Sequence, residues 1–253
     1  MSSDRRQAGP EVDGNAVLGA LPVAQSERLM RLCGTRTLSV DQVLGSRSDA
    51  IKTLVFPLTG LVVESFGDGD FGLVQLNLVG TDGMLGSLYP EARDAFHLRH
   101  TVIVGGRALV IDRRKVREAL RVAPRLAGLV ARFNALHVGQ LARAAICLGF
   151  HPAQSRLARW LLEASDRSGS GPIEITHERL AVLLGVRRSG VTVCAGRLSA
   201  AGLIDYRRGV IRIRDRTGLE RAACSCFAQA RSAQARAAHL SAAAGAPAAR
   251  GQR

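Results

Sequence analysis

The spacing of apolar residues changes several times along the chain, and each change marks out a part of it. Residues 1–19 are polar, hold Gly and Pro and show no period, which predicts a disordered tail. A short amphipathic helix follows Leu21-Pro22, with Leu29, Met30, Leu32 and Cys33 on its apolar side. From Thr35 to about Arg113, short runs with β-branched residues (TLSV, IKTLVF, GLVVESF, LVQLNLV, LRHTVIV, RALVIDR) are broken by Gly-Asp-Gly-Asp, Gly-Thr-Asp-Gly and Gly-Gly. Strands at that spacing, joined by glycine turns, predict a compact antiparallel sandwich or a jelly-roll-like β-roll. Within it, Leu73–Val79 alternates well enough to have one buried face.

At Arg113 the period becomes helical. A short helix is expected over Arg113–Arg121, and Pro124, a good first-turn residue, opens a longer one to Phe150. Leu126, Val130, Phe133, His137, Leu141, Ala144 and Leu148 make a stripe at three/four spacing, widened by Leu129, Leu136 and Gln140. One side of such a helix can pack on its own domain while the other meets a partner helix. Leu126, Val130, Phe133, His137, Leu141 and Ala144 are therefore the expected dimerisation residues. His151-Pro152 ends this helix, and the next, 153–167, is apolar at Leu157, Trp160, Leu161 and Ala164, with Arg156, Arg159 and Glu163 expected outside.

The segment Thr176–Leu198 reads as two short helices around a tight turn. Leu180, Ala181 and Leu184 form one apolar face, Gly185 breaks it, and Val186, Val191, Cys194 and Leu198 form a second. Ala181, Gly185 and Val191 have the spacing a helix-turn-helix requires. Thr176 is a good N-cap, with Glu178 favourable in the first turn. Beyond it, two short runs around Arg207-Arg208-Gly209 predict a β-hairpin with a basic tip, a wing. Gly218–Phe227 is expected to be helical, and the Ala/Arg-rich residues 228–253 to be a frayed basic tail.

Charge sharpens this picture. The 253-residue chain carries a formal +14. Residues 150–227 hold 13 arginines and no lysine against seven acids, so charge density is higher in the half of the chain with the helix-turn-helix than in the half before it. No apolar run is long enough to predict a membrane span, and the polar N-terminus does not read as a signal peptide. Five cysteines, odd in number and mostly in apolar segments, suit reduced thiols in the cytoplasm. No GxGxxG, GxSxG, P-loop or metal-ligand spacing appears, which argues against an enzyme.

Three stretches, RLARWLLEASDR, LAVLLGVRRSGVTVCAGRLSAAGLIDYRRGVIRI and LNLVGTDGMLG, resemble the Crp-Fnr family of bacterial transcription regulators, over about residues 20–227. The resemblance implies an α+β chain: disordered residues 1–19, a cyclic-nucleotide-binding-like β-roll over 20–121, a connecting dimerisation helix over 122–150, a winged helix-turn-helix over 151–227, and the tail. It implies a cytoplasmic homodimer that reads double-stranded DNA at half-sites ~34 Å apart and contacts RNA polymerase. The DNA-contacting residues would be Thr176, His177, Arg187, Arg188, Ser189, Thr192 and Val193, with Arg207 and Arg208 in the wing. Better-known members carry Glu at the Ser189 position and Arg at the Val193 position, so their target sequence does not carry over. The stretch Gly83–Ala95 lacks the Glu of a cyclic-nucleotide phosphate cassette, so the effector is left open and cyclic AMP is not expected. An iron–sulfur cluster needs four thiolates, whereas the regulatory half holds only Cys33 and Cys147. No cofactor or metal is expected. Cys224-Ser225-Cys226 lacks a second pair and reads as ordinary helix, the alternative being a metal- or redox-responsive pair. His97 and His100 read as surface residues. A constitutive regulator with a vestigial sensor domain is the other alternative.

Overall fold

The structure is a computed structural model and describes residues 14–45, 52–68, 72–87, 98–168 and 171–233. The β-branched runs pair antiparallel into two sheets. One has the order β1-β7-β3, from Gly34–Leu38, Gly106–Asp112 and Thr53–Pro57. The other has the order β2-β6-β4-β5, from Val43–Gly45, Arg99–Val104, Leu61–Asp68 and Gly72–Val79. Between them sit Leu38, Val55, Val62, Val79, Leu85, Val102 and Ala108, all buried. The run TLSV is only partly strand: β1 ends at Leu38, and Asp41, at φ 68°, turns the chain into the very short β2.

A second apolar cluster covers the other face of β3 and β7. It joins Phe56, Leu109 and Ile111 to Leu18, Leu29, Met84, Ala119 and Leu126. Leu18 comes from α1 (Ala16–Gly19), so the expected disorder of residues 1–19 does not hold for 14–19. Asn15 explains the order: its side chain caps α1 and donates to the carbonyls of Pro57 and Gly83 at 3.0 and 2.8 Å. Residues 1–13 lie outside the described residues, as does most of the basic tail. Helix α2 (Val23–Met30) follows as expected. The helix expected over Arg113–Arg121 is a 3-10 turn, Arg113–Lys115, capped by Asp112, and then α3 (Val116–Val122).

The long helix α4 spans Arg125–Phe150. Its predicted dimerisation stripe turns inward. Leu126, His137 and Ala144 are buried, and Val130 and Phe133 pack against the second cluster. The stripe therefore faces its own β-roll, because that roll offers the larger apolar surface to cover. The residues of α4 that are exposed are Ala127, Gly128, Ala131, Ala135, Val138, Ala142, Ala145, Ile146, Gly149 and Phe150. None of these carries a polar side chain.

Helix α5 (Ala153–Ser168) is the joint between the two halves. Leu157, Trp160 and Leu161 share one buried cluster with Leu61, Val63 and Leu78 of the β-roll and Leu180 and Val191 of the helix-turn-helix. Trp160 Nε1 donates to Gln75 Oε1 at 2.8 Å, which is why a polar residue can sit buried on β5. Arg156 and Glu163, expected outside, are buried too, because α5 is covered on several sides. The β-roll caps the C-terminal end of α5: Thr81 N–H donates to Arg167 O at 3.0 Å and Gly60 N–H to Ser168 O at 3.2 Å. A Cβ on Gly80 would collide with the Arg167 carbonyl. Gly80→Ala is therefore expected to cost about 1–3 kcal/mol as overpacking, and to raise hydrogen exchange in the last turn of α5. Unchanged protection there would show that the two halves are not held by this contact.

Candidate nucleic-acid interface

Thr176 begins the motif as expected, its hydroxyl accepting from Arg179 N–H at 3.2 Å to cap α6 (His177–Leu184). Gly185 closes α6 in the left-handed region at φ 60°, a conformation that costs a residue with a Cβ. The turn delivers α7 (Arg188–Ala200), which buries Val191, Cys194, Ala195 and Leu198 against α5 and α6. The opposite face of α7 is open. Arg187, Arg188, Ser189, Thr192 and Val193 are all exposed.

The wing forms from β9 (Ile204–Arg207) and β10 (Val210–Ile213), with β8 (Ile173–Glu174) on the far side of β10. Arg208 at φ 49° and Gly209 at φ 81° make the two-residue loop, the positive-φ pair whose twist suits a hairpin. Arg207 and Arg208 are exposed, and β-strand alternation also sends Arg212 outward. Asp205 pairs with both Arg207, at 3.3 Å, and Arg214, at 3.1 Å, holding the wing base without neutralising its tip.

His177 sits differently from the rest of the predicted set. Its ring stacks on Tyr206 at 4.2 Å, and Nδ1 lies 3.0 Å from Thr192 Oγ1. Burial, with Arg188 nearby, pushes its pKa down, which favours the neutral ring. It joins α6, α7 and the wing, so its role is to fix their relative placement. Thr192 Oγ1 also donates to Arg188 O at 3.2 Å. Arg188 lies 3.6 Å from Glu178 in an exposed pair of the kind worth ~0–1 kcal/mol, which a phosphate or a guanine edge readily displaces. The exposed ends of α7 and the wing thus present guanidiniums with weak or no internal partners, on a rigid three-helix base. That arrangement suits a polyanion with a groove as wide as a helix.

Residues 155–222 match the family model of the Crp-like helix-turn-helix domain. That segment is a Crp-like helix-turn-helix domain. Among solved structures, FixK2 from Bradyrhizobium japonicum is 16% identical, with 76% of this chain and 98% of that chain covered at a TM-score of 0.63. A CRP-family transcriptional regulator from Thermus thermophilus is 22% identical, covering 74% and 96% at 0.61. A Crp/Fnr-family protein from Eubacterium rectale is 18% identical, covering 83% and 98% at 0.62. At such identities the likeness is one of fold, and it spans β-roll, long helix and winged helix together. A comparison with curated proteins finds no match. Among the described residues, no helix is long and apolar enough to cross a membrane.

Two features of the chain were not visible as sites in its sequence. His100, expected at the surface, is buried with its Nε2 3.1 Å from Glu64 Oε1, and His137 Nε2 lies 3.0 Å from Glu64 Oε2. His97 and residues 88–95 of the cassette-like stretch lie outside the described residues. The C-terminal helix expected over Gly218–Phe227 is broken. α8 (Arg216–Ala222) ends early and residues 226–233 form a separate helix, so Cys224 and Cys226 straddle the break. The second pair they lacked is Cys147 and His151, at the end of α4.

Proposed function

We propose that this chain is a DNA-binding transcription regulator of the Crp-Fnr type that acts as a cytoplasmic homodimer, placing one α7 in each of two successive major grooves of a (pseudo)palindromic operator. The observation that carries the reading is the uninterrupted apolar face of α4. Ten exposed residues without one polar side chain are not what a solvated helix presents. A second copy of α4 across a two-fold axis covers that face with the same residues, mostly Ala and Gly, which permit close approach. The inward stripe assigned from the sequence is replaced in this role by Ala131, Ala135, Val138, Ala142 and Ile146.

In each half-site, Arg188 reads base edges beside Ser189 and Val193, while Arg187, Arg207 and Arg208 hold phosphates. Arg188→Ala is expected to relax preference at one base pair by ~1–3 kcal/mol. Arg207→Ala is expected to weaken all sequences alike and to shallow the log K against log salt slope by ~1. Selection of bound genomic fragments supplies the operator on which both variants are titrated. Equal sequence preference and equal salt slope in wild type and both variants would overturn the assignment. The effector is read as something other than a cyclic nucleotide. Ser87 Oγ, where the cassette would continue, donates to Asn134 Oδ1 of α4 at 2.7 Å, and Glu64, His100 and His137 fill the space between β4, β6 and α4. RNA polymerase is the partner such a dimer would contact from an exposed loop.

A further inference from the structure

The sulfurs of Cys147, Cys224 and Cys226 and a ring nitrogen of His151 lie within 4.8 Å of one another. Cys147 is in the last turn of α4, and His151 follows one helical turn later as the C-cap, so both project to the same side. Cys224 is brought up by the break after α8, where its N–H donates to Ser155 O at 3.4 Å. Cys147 Sγ and Cys224 Sγ are 3.6 Å apart, and Cys226 Sγ is 3.6 Å from His151 Nδ1. A tetrahedral zinc ion with ordinary bond lengths requires S···S edges of ~3.8 Å and S···N edges of ~3.6 Å. The side chains stand nearly at those separations.

From this geometry we infer that Cys147, His151, Cys224 and Cys226 form a closed tetrahedral site for one soft divalent cation, zinc by preference. Three thiolates and an imidazole are a common structural zinc set. Donors this close surround a single ion, whereas an iron–sulfur cluster spreads its ligands over several irons. Three thiolates around a divalent ion leave one negative charge, and Arg159 and Arg143 lie within electrostatic reach of the sulfurs to balance it. Arg159 Nε is buried with no hydrogen-bond partner, a donor free to serve a thiolate sulfur. On binding, the thiol protons leave to solvent and the imidazole lone pair becomes a ligand.

The site's place gives it consequences. It ties the end of α4, the start of α5 and the chain after α8, which is the junction between the proposed dimer helix and the DNA-binding domain. An ion there removes freedom from that junction. Its effect on DNA affinity rests on the proposed function, but the site itself does not.

The test uses the full-length chain, reduced and stripped with a chelator, then titrated with Co²⁺ and with Zn²⁺. The expected result is one equivalent per chain, with the intense visible absorption of thiolate-rich tetrahedral Co²⁺, bleached by Zn²⁺. Cys224→Ser and His151→Ala should each lower Zn²⁺ affinity by about 100-fold or more. The chain supplies its own controls, since Cys33 and Cys194 are the two cysteines outside the cluster. Cys33→Ser and Cys194→Ser should bind as wild type. Circular dichroism of each variant separates a lost ligand from a lost fold, and the wild-type titration stands without any variant. Absence of a stoichiometric Co²⁺ band, equal loss in the Cys33 control, or iron with acid-labile sulfide in anaerobically isolated protein would each overturn the assignment. Operator affinity measured with and without Zn²⁺ then reads the coupling separately: failure to bind DNA in either state would refute the proposed function and leave the metal site standing.

Discussion

Glu64→Ala is expected to lose about 3–5 kcal/mol of unfolding free energy, the cost of stranding charged or polar partners in a dry interior. Glu64 is only 2% exposed, and three side chains converge on its carboxylate. His100 and His137 lie within 3.1 Å, and Asn77 Nδ2 donates to Oε2 at 3.0 Å. The Nδ1 atoms of both histidines are buried without partners, so neither ring has another route to stabilisation. Burial by itself would raise the Glu64 pKa, but the hydrogen bonds and charges of His100 and His137 outweigh it and hold it at about 2. A carboxylate whose folded pKa lies below its unfolded value stabilises the fold above the unfolded value. That contribution is lost as pH falls through about 4.5 toward 2. Wild type should therefore show a steep loss of stability in that acid window, and Glu64→Ala a much shallower one. Urea unfolding followed by the single tryptophan, Trp160, reads both, because that indole bridges α5 and β5. A loss under 1 kcal/mol, or identical acid profiles, would mean the cluster is not what joins α4 to the sheet.

Val138→Glu is expected to convert a dimer into a folded monomer and to lower affinity for a two-half-site operator by ~10²- to 10⁴-fold, the multivalent gain that is lost. Val138 is 60% exposed at the middle of the apolar face of α4, so the charge meets water in the monomer and its own image in a dimer. Single half-site affinity should hardly change, since α7 and the wing are untouched. Phe133→Asp makes the contrast. That ring packs against the second apolar cluster and Gly83, so a charge there should unfold the β-roll instead of separating subunits. Sedimentation of both variants distinguishes the cases, and a Val138→Glu protein that still sediments as a dimer would sink the seam.

The helix-turn-helix and the wing were legible because their signals are local. Thr176, Gly185 and the Arg208-Gly209 turn each satisfy a backbone requirement that shows in a few adjacent residues, and the exposed residues follow from the period of α7. The long helix was equally plain, yet its orientation was not. Period marks an apolar stripe, but α4 has two of them, one with mainly Leu, Phe and Val and another with mainly Ala and Gly, separated by half-buried polar residues such as Arg132, Gln140 and Arg143. The larger side chains seek the larger buried area, which here is the β-roll, and the small ones stay exposed.

By itself, then, the sequence determined the β-roll, the helices, the turns and the cationic reading head, because each rests on spacing within a dozen residues. Tertiary structure alone decided what lies between distant segments. Glu64 gained two histidines 36 and 73 positions away, β5 could bury Gln75 because Trp160 arrived from α5, and Cys224 and Cys226 met Cys147 and His151 across more than seventy residues. A buried polar or thiol group is stable only if its partners come with it, and those partners are brought by the packing of whole elements, which no local pattern specifies.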